Sequence, residues 1–283
     1  YFKIKNFKRI NLIVSDWIRV KRWLRSGPTY NYQEFDYIKE KLNFDKKKII
    51  QIDHHLAHAA STYYSSKFKN SAILIVDGNG SDIETNSYFH GRKNKIKFID
   101  RYKNHGIGAA YGAVTKEILN LGTGGEGKTM GLAPYGSYDK KIKIPYSIDG
   151  IKTDFSKFML RLPNSDLLNQ INSNYRLQVI RKKTPAAKKS NILSKKYSNW
   201  AYMIQNVTEN IVAKLGRDIF NKTKAKNICL AGGVALNSVA NEVLFKKNNF
   251  KDIFIFPACA DAGIPYGLCL WAYHNIYNQN QRI

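Results

Sequence analysis

The densest chemistry in this sequence is Asp53-His54-His55-Leu56-Ala57-His58-Ala59-Ala60-Ser61, where three of the chain's six histidines fall within five residues. His54 and His58 stand four apart, the spacing that puts two side chains on one face of a helix. Two imidazoles so placed can bind one divalent cation, as other His-x-x-x-His pairs do. The plainer reading is a histidine-rich helix start with satisfied hydrogen bonds. The small residues Ala57, Ala59 and Ala60 favour a site, because they allow close backbone packing around it.

Three further junctions carry chemistry. Val76-Asp77-Gly78-Asn79-Gly80-Ser81 ends an apolar run with a carboxylate. In α/β proteins such a carboxylate projects into the ligand crevice at the strand's C-terminal end. Gly78 and Gly80 let the backbone turn sharply or approach a phosphate. An ordinary hairpin turn would use the same residues. Leu230-Ala231-Gly232-Gly233-Val234-Ala235-Leu236-Asn237 joins a strand to a helix whose first N–H groups could face a nucleotide. Phe256-Pro257-Ala258-Cys259-Ala260-Asp261-Ala262-Gly263 ends another strand with a second carboxylate, Asp261, a natural third or fourth metal ligand. Paired glycines also serve tight strand–helix packing, and both stretches admit that use.

Gly122-Thr123-Gly124-Gly125-Glu126-Gly127-Lys128-Thr129 matches the phosphate-binding expression G-x-x-x-x-G-K-[ST] letter for letter. Its surroundings do not. A P-loop follows a buried strand and opens a long helix, whereas here a helical stretch ending in Asn120 comes first. Gly131, Pro134 and Gly136 follow and forbid a long helix. A glycine-rich active-site loop is the better reading. Lys128 within it could neutralise a phosphate or acyl oxygen, or could be a solvated loop lysine.

The elements that must position these residues follow from periodicity. Strands are expected at Lys48 to Asp53, Ala72 to Asp77, Ile228 to Ala231 and Ile253 to Phe256. Thr85 to His90 and Lys95 to Tyr102 form a hairpin across Gly91-Arg92-Lys93-Asn94. Helices are expected at His54 to Ser65, Gly108 to Asn120, Tyr202 to Asn221, Ala235 to Lys246 and Pro265 to Tyr277. Residues 1–47 are expected to wrap a surface. Residues 136–199, polar and weakly periodic, read as an insertion or a substrate-facing region. Strands alternating with helices indicate an α/β domain.

Bulk properties narrow the classes. The 283 residues are 43% hydrophobic, which excludes a disordered chain. No apolar run reaches the roughly 18 to 20 residues of a membrane helix, so no membrane partner is expected. The formal charge of +25 suits a polyanionic partner. The lysines, however, are spread along the chain among Asn and Ile, as a compositional bias would spread them, so nucleic acid is not the expected partner. Cys229, Cys259 and Cys269 are too few for a disulfide framework or zinc cluster and read as buried thiols of a reducing cytoplasm.

Taken in order, five strings resemble one family: HHLAHAAS at 54–61, VDGNGS at 76–81, EGKTMGLAPYG at 126–136, LAGGVALNSVAN at 230–241 and DAG at 261–263. The chain resembles the O-carbamoyltransferases that act on nodulation factors and antibiotics, relatives of the tRNA threonylcarbamoyl-transferases. The resemblance implies an actin-like ATPase fold, related to ribonuclease H and here incomplete at its N-terminus. It implies a divalent metal, Fe(2+), held by His54, His58, Asp77 and Asp261. It places Gly78, Asn79, Gly80, Glu126, Gly127, Gly131, Gly232, Gly233 and Asn237 in the cofactor-binding set.

The implied substrates are ATP and carbamoyl phosphate. A C-terminal domain turns them into a carbamoyl adenylate, and the domain read here passes the carbamoyl group to a hydroxyl of a sugar or small molecule. Ligand chemistry alone leaves iron, manganese and zinc open. The acceptor hydroxyl needs a base, for which His55, a non-ligand histidine, is a candidate beside Lys128 as the cationic catalytic residue. The chain begins at Tyr1, so 1–283 is expected to be one domain of a longer protein. The family's first phosphate-binding loop would precede it and the activating domain would follow. Ala260, Pro265 and Tyr266 depart from the family's usual small residues without touching the four ligands. The competing expectations are the tRNA-modifying relative and a truncated, non-catalytic binding module.

Overall fold

The computed structural model describes residues 13–15, 49–80, 83–163, 175–179 and 184–279. The surface-wrapping role expected of residues 1–47 lies outside them, except that β1 (Ile13–Ser15) pairs parallel with β2 (Ile49–Gln51). Helix α1 (His54–Ser65) follows, and then three strands in a meander, β3 (Asn70–Val76), β4 (Glu84–Arg92) and β5 (Lys95–Lys103). Helix α2 (Ile107–Ala113) runs into a π-helical turn (Val114–Ile118). Helix α3 (Glu126–Leu132) runs into a 3-10 turn (Ala133–Tyr135).

Two small hairpins come next, β6 (Ser147–Asp149) with β7 (Lys152–Asp154) and β8 (Met159–Pro163) with β9 (Tyr175–Val179). Helix α4 (Lys195–Thr223), strand β10 (Asn227–Ala231), helix α5 (Ser238–Lys247), strand β11 (Asp252–Ile255) and helix α6 (Ile264–Asn275) complete the chain.

The main sheet has the order β11-β10-β3-β4-β5. β10 lies parallel to both β3 and β11, whereas the meander is antiparallel. A three-stranded meander whose first strand is flanked by two later parallel strands is the ribonuclease H-like arrangement that was expected. β3 is its centre. Its Ala-Ile-Leu-Ile-Val run is buried on both faces, because helices cover both. Burial of each of Ile73, Leu74 and Ile75 contributes about 1.5–3 kcal/mol.

β4 shows which helices lie on which side. Ser87 meets His55 on α1, while the adjacent Tyr88 donates its hydroxyl to the Leu215 carbonyl on α4. Successive strand residues point to opposite faces, so α1 and α4 sandwich the sheet. α6 packs outside α1, and α5 against α4.

Three expectations need correction. The helix read as Tyr202 to Asn221 begins at Lys195 and lies partly inside the stretch read as an insertion. Its first turns bury Tyr197, Ser198 and Ala201, too few apolar residues to show a period. The helix read as Ala235 to Lys246 is a 3-10 turn (Gly233–Leu236) followed by α5. Asn237 starts the helix afresh by accepting the Ala240 N–H on its side chain. Cys229 and Cys259 are buried as expected, but Cys269 is exposed on α6.

Candidate metal centre

Asp53 caps α1, its Oδ1 accepting the Leu56 N–H at 2.9 Å. One turn of helix then places His54 and His58 together, with ring centroids 4.8 Å apart and planes at 84°. Asp77 follows the last residue of β3, and Asp261 opens the 3-10 turn after β11. These lie at the C-terminal ends of parallel strands, on the edge where α/β sheets bind ligands.

The four side chains converge. His54 Nε2 lies 3.5 Å from both Asp77 Oδ2 and Asp261 Oδ1. His58 Nε2 lies 3.8 Å and 3.5 Å from the same two oxygens. One ligand atom from each residue fits within a span of 4.8 Å. Two ligands bonded tetrahedrally to one ion at about 2.1 Å sit about 3.4 Å apart. The separations are therefore too long for good hydrogen bonds and close to those of ligands sharing a cation. His58 Nε2 is fully buried and makes no hydrogen bond of ordinary length, which also fits a nitrogen meant for a metal. Two imidazoles and two carboxylates neutralise a divalent ion and suit iron, manganese or zinc.

Asp77 is aimed by its neighbours. Its Oδ1 accepts the Gly78 N–H at 2.8 Å and the Gly233 N–H at 3.0 Å. That leaves Oδ2 for the centre. Gly232, with φ +92°, makes this possible: a Cβ there would stand 2.4 Å from the Val76 carbonyl oxygen. The two crossing chains can touch only because position 232 is glycine. Gly108 is pressed nearly as closely on the Asp77 carbonyl, where a Cβ would stand 2.6 Å from its oxygen.

The electrostatics follow from this geometry. Burial would raise the Asp77 carboxyl, but contacts with His54 and His58 hold it well below the usual carboxylate range. The same two histidines depress Asp261 against its partial burial. Burial would lower His58, and the two carboxylates overcome it and raise it. His55 has no such partner at close range, and burial pushes it well down. Asp261 is the open side of the cluster: its side chain is 77% exposed, while the other three are buried.

The remaining expected residues fall in several places. Gly78 and Gly233 touch Asp77. Exposed Asn79 and buried Gly80 complete the loop after β3, where the Gly80 N–H donates to the Glu84 carbonyl at 2.8 Å. Asn237 is buried and doubly paired with Gln205, at 2.8 Å and 3.1 Å. Gln205 also accepts from the Tyr111 hydroxyl at 3.0 Å and donates to Glu209 at 2.9 Å.

Glu126 approaches this network along α2, its carboxylate oxygen 3.5 Å from where a Cβ on Gly112 would stand. Lys128 lies two residues on, which on a helix is nearly the opposite face. Exposed Lys128 and Gly131 line an apolar groove of about 270 Å³ with Leu121, Leu132, Tyr135, Ile192 and Leu193. Gly127 is exposed on the same short helix. That groove shares none of its lining residues with the metal cluster.

Sequence reading missed Gln205, Tyr111 and Glu209, and also Ser87 and Arg101 beside His55. One signal was present. Glu84, Thr85, Asn86 and Ser87 form a polar run, fully buried, in a strand beside the central one, and such a run has partners.

A family model for the carbamoyltransferase N-terminus matches residues 15–270. The chain belongs to that family. This N-terminal carbamoyltransferase domain is 33% identical over 279 residues to an uncharacterized protein of Synechocystis, covering 95% of this chain and 43% of the relative. It is 29% identical over 238 residues to the nodulation protein NolNO of Sinorhizobium fredii, covering 80% of this chain and 31% of the relative. A tRNA N6-adenosine threonylcarbamoyltransferase of Mycoplasma capricolum is 26% identical over 213 residues, with coverages of 74% and 60%. The chain therefore spans less than half the length of the first two relatives. Among solved structures, HypF of T. kodakarensis shares the fold, with a TM-score of 0.53 at 13% identity over 98% of this chain and 41% of that one. Among the described residues no helix is long and apolar enough to cross a membrane.

Proposed function

We propose that this carbamoyltransferase domain transfers a carbamoyl group to a hydroxyl of a sugar or other small molecule at the His54–His58–Asp77–Asp261 centre. The donor in this reading is a carbamoyl adenylate, made from carbamoyl phosphate and ATP by a further domain of the full-length protein. The acceptor oxygen attacks the carbamoyl carbon, the bond from that carbon to the adenylate's phosphate oxygen breaks, and the hydroxyl proton passes to a base. AMP leaves, and the carbamoyl ester remains on the acceptor.

The convergence of four side chains able to ligate one cation, beside a glycine-lined turn, carries this reading. A divalent cation, iron(II) in this reading, would supply Lewis-acid charge for phosphate and acyl oxygens. The chain's own part is to hold that charge in place. Two backbone N–H groups orient Asp77, and the helical register of α1 orients His54 and His58. The exposed face of Asp261 gives substrates access. Lys128, expected on a glycine-rich loop, instead sits in the short helix α3 that Gly122, Gly124 and Gly125 lead into, and it would meet a phosphate or the acceptor where the groove it lines holds substrate. Gly78 and Gly232–Gly233 give a nucleotide a side-chain-free surface to pack against, their N–H groups being held by Asp77 and the Cys259 carbonyl.

Replacing His58 with Ala in the full-length protein tests the reading. Expected are loss of bound metal and loss of carbamoyl transfer from carbamoyl phosphate and ATP. Transfer at the wild-type rate by the metal-free variant would overturn it. A second reading, a tRNA-modifying activity, has support from the identity to the threonylcarbamoyltransferase. Threonylcarbamoylated tRNA as product, with no carbamoylated hydroxyl compound, would favour that reading.

A further inference from the structure

We infer that Arg101 is a positioning residue for the metal centre: through Asp53 it holds the helix that carries His54 and His58 in register with the sheet that carries Asp77. The inference rests on the metal-centre reading above and adds to it a pair of residues that are not themselves ligands.

A centre drawn from a helix and a sheet needs one fixed against the other. The histidines come from α1, whereas Asp77 follows β3, and the distances between them change whenever α1 slides or turns over the sheet. Both ends of α1 are fastened to the β4–β5 hairpin. At its C-terminal end the Tyr63 hydroxyl donates to the Lys93 carbonyl at 2.8 Å, and the Tyr64 hydroxyl to the Asn94 carbonyl at 3.2 Å, both in the hairpin turn. At its N-terminal end, beside the ligands, Asp53 fastens it. Asp53 Oδ1 caps α1 by accepting the Leu56 N–H at 2.9 Å, and Oδ2 accepts from Arg101 Nη1 on β5 at 2.7 Å. One carboxylate thus serves the helix and the sheet at once, in the residue directly before His54.

The sheet end of this brace is also fixed. Arg101 stands opposite Ser87 on β4, and Ser87 stands opposite Ile75 on β3. Residues opposite one another across strands share a face, and Asp77 lies two residues beyond Ile75. The Asp77 N–H donates to the Thr85 carbonyl at 2.7 Å, which keeps that end of β3 in step with β4. Arg101 Nε donates to Ser87 Oγ at 3.3 Å, and Cζ lies 5.2 Å from the centre of the Phe98 ring. A guanidinium suits this place because it presents donors to two partners in a rigid fork. The Arg101 and Asp53 side chains are 20% and 19% exposed, so solvent and salt screen this pair far less than an exposed bridge such as Lys67–Asp252.

The test is Co2+ titration of the full-length protein, followed by the visible absorption of the bound ion. Arg101→Gln removes the brace and leaves the cap. Asp53→Asn does the same from the other side: its one acceptor oxygen caps a helix as well as aspartate does, and no second oxygen is left for Arg101. The two substitutions change the local charge in opposite directions, so equal effects cannot come from charge alone. Each should weaken Co2+ binding about 10-fold, the lower end for residues that support a ligand, and should shift the absorption bands as the ligands move. The double variant should lose no more than either single one, because both remove the same contact. Unchanged affinity and bands in both single variants would overturn the inference even where the melting temperature falls, since a purely structural ion pair lowers stability alone. Effects of opposite sign, or losses that add in the double variant, would overturn it as well. Wild-type protein that binds no Co2+ removes the metal-centre reading and this inference with it, whereas wild-type binding matched by both variants removes this inference alone.

Discussion

The Gly233 N–H donates to Asp77 Oδ1 at 3.0 Å across 156 residues of chain. This bond ties the end of the central strand to the turn after β10, and it frees the other carboxylate oxygen to face His54 and His58. Asp77 therefore does two separable jobs, one with each oxygen.

Asp77→Asn separates them. The amide oxygen can still accept from Gly78 and Gly233, but an NH2 group in place of Oδ2 has no lone pair for a cation. The variant should keep a melting temperature within a few degrees of wild type, yet carry little metal by elemental analysis. Full metal occupancy in this variant would show that Asp77 is not a ligand.

Gly232→Ala probes the crossing beneath that bond. The backbone at φ +92° costs a non-glycine residue about 1–3 kcal/mol, and the new Cβ would collide with the Val76 carbonyl besides. Urea denaturation should show a loss of at least that size. An unchanged midpoint would mean that the two chains do not approach so closely.

Gln205→Leu tests the amide pair with Asn237. It strips partners from Asn237 and the Tyr111 hydroxyl, both mostly buried. Each unsatisfied group costs about 1–3 kcal/mol, so denaturant stability should fall measurably while metal content is retained. Loss of metal without loss of stability would instead connect this network to the centre.

The pH response of the ion-free chain follows from the cluster. His58 is raised by the carboxylates, so its contribution is fully present below about 6.5 and is lost as pH rises through its folded value. Asp77 and Asp261 are depressed, so theirs is present above about 3.9 and is lost as pH falls through their folded values. A cation must displace the His58 proton. Binding heats at pH 6 should therefore vary with the ionisation enthalpy of the buffer, and the dependence should fade as pH rises through the folded value of His58. Equal heats in all buffers at pH 6 would contradict a protonated His58.

Much of the fold was legible because its signals are local. The apolar run of β3 needs burial on both faces wherever it lies, and His54 and His58 share a helix face by spacing alone. The strand ends at Asp77 and Asp261 and the glycine pair at 232–233 could likewise be read one by one. Their convergence on a single point could not, because it depends on the order of strands in the sheet and on the space left at Gly232. The register of α1 over β4 also lies beyond sequence reading: it sets Ser87 against His55 and leaves His54 and His58 facing the two carboxylates. Residue type and local periodicity determined which groups could do chemistry. Only long-range packing decided which of them share a centre, because distances between segments far apart in the chain are set by the sheet and not by spacing in sequence.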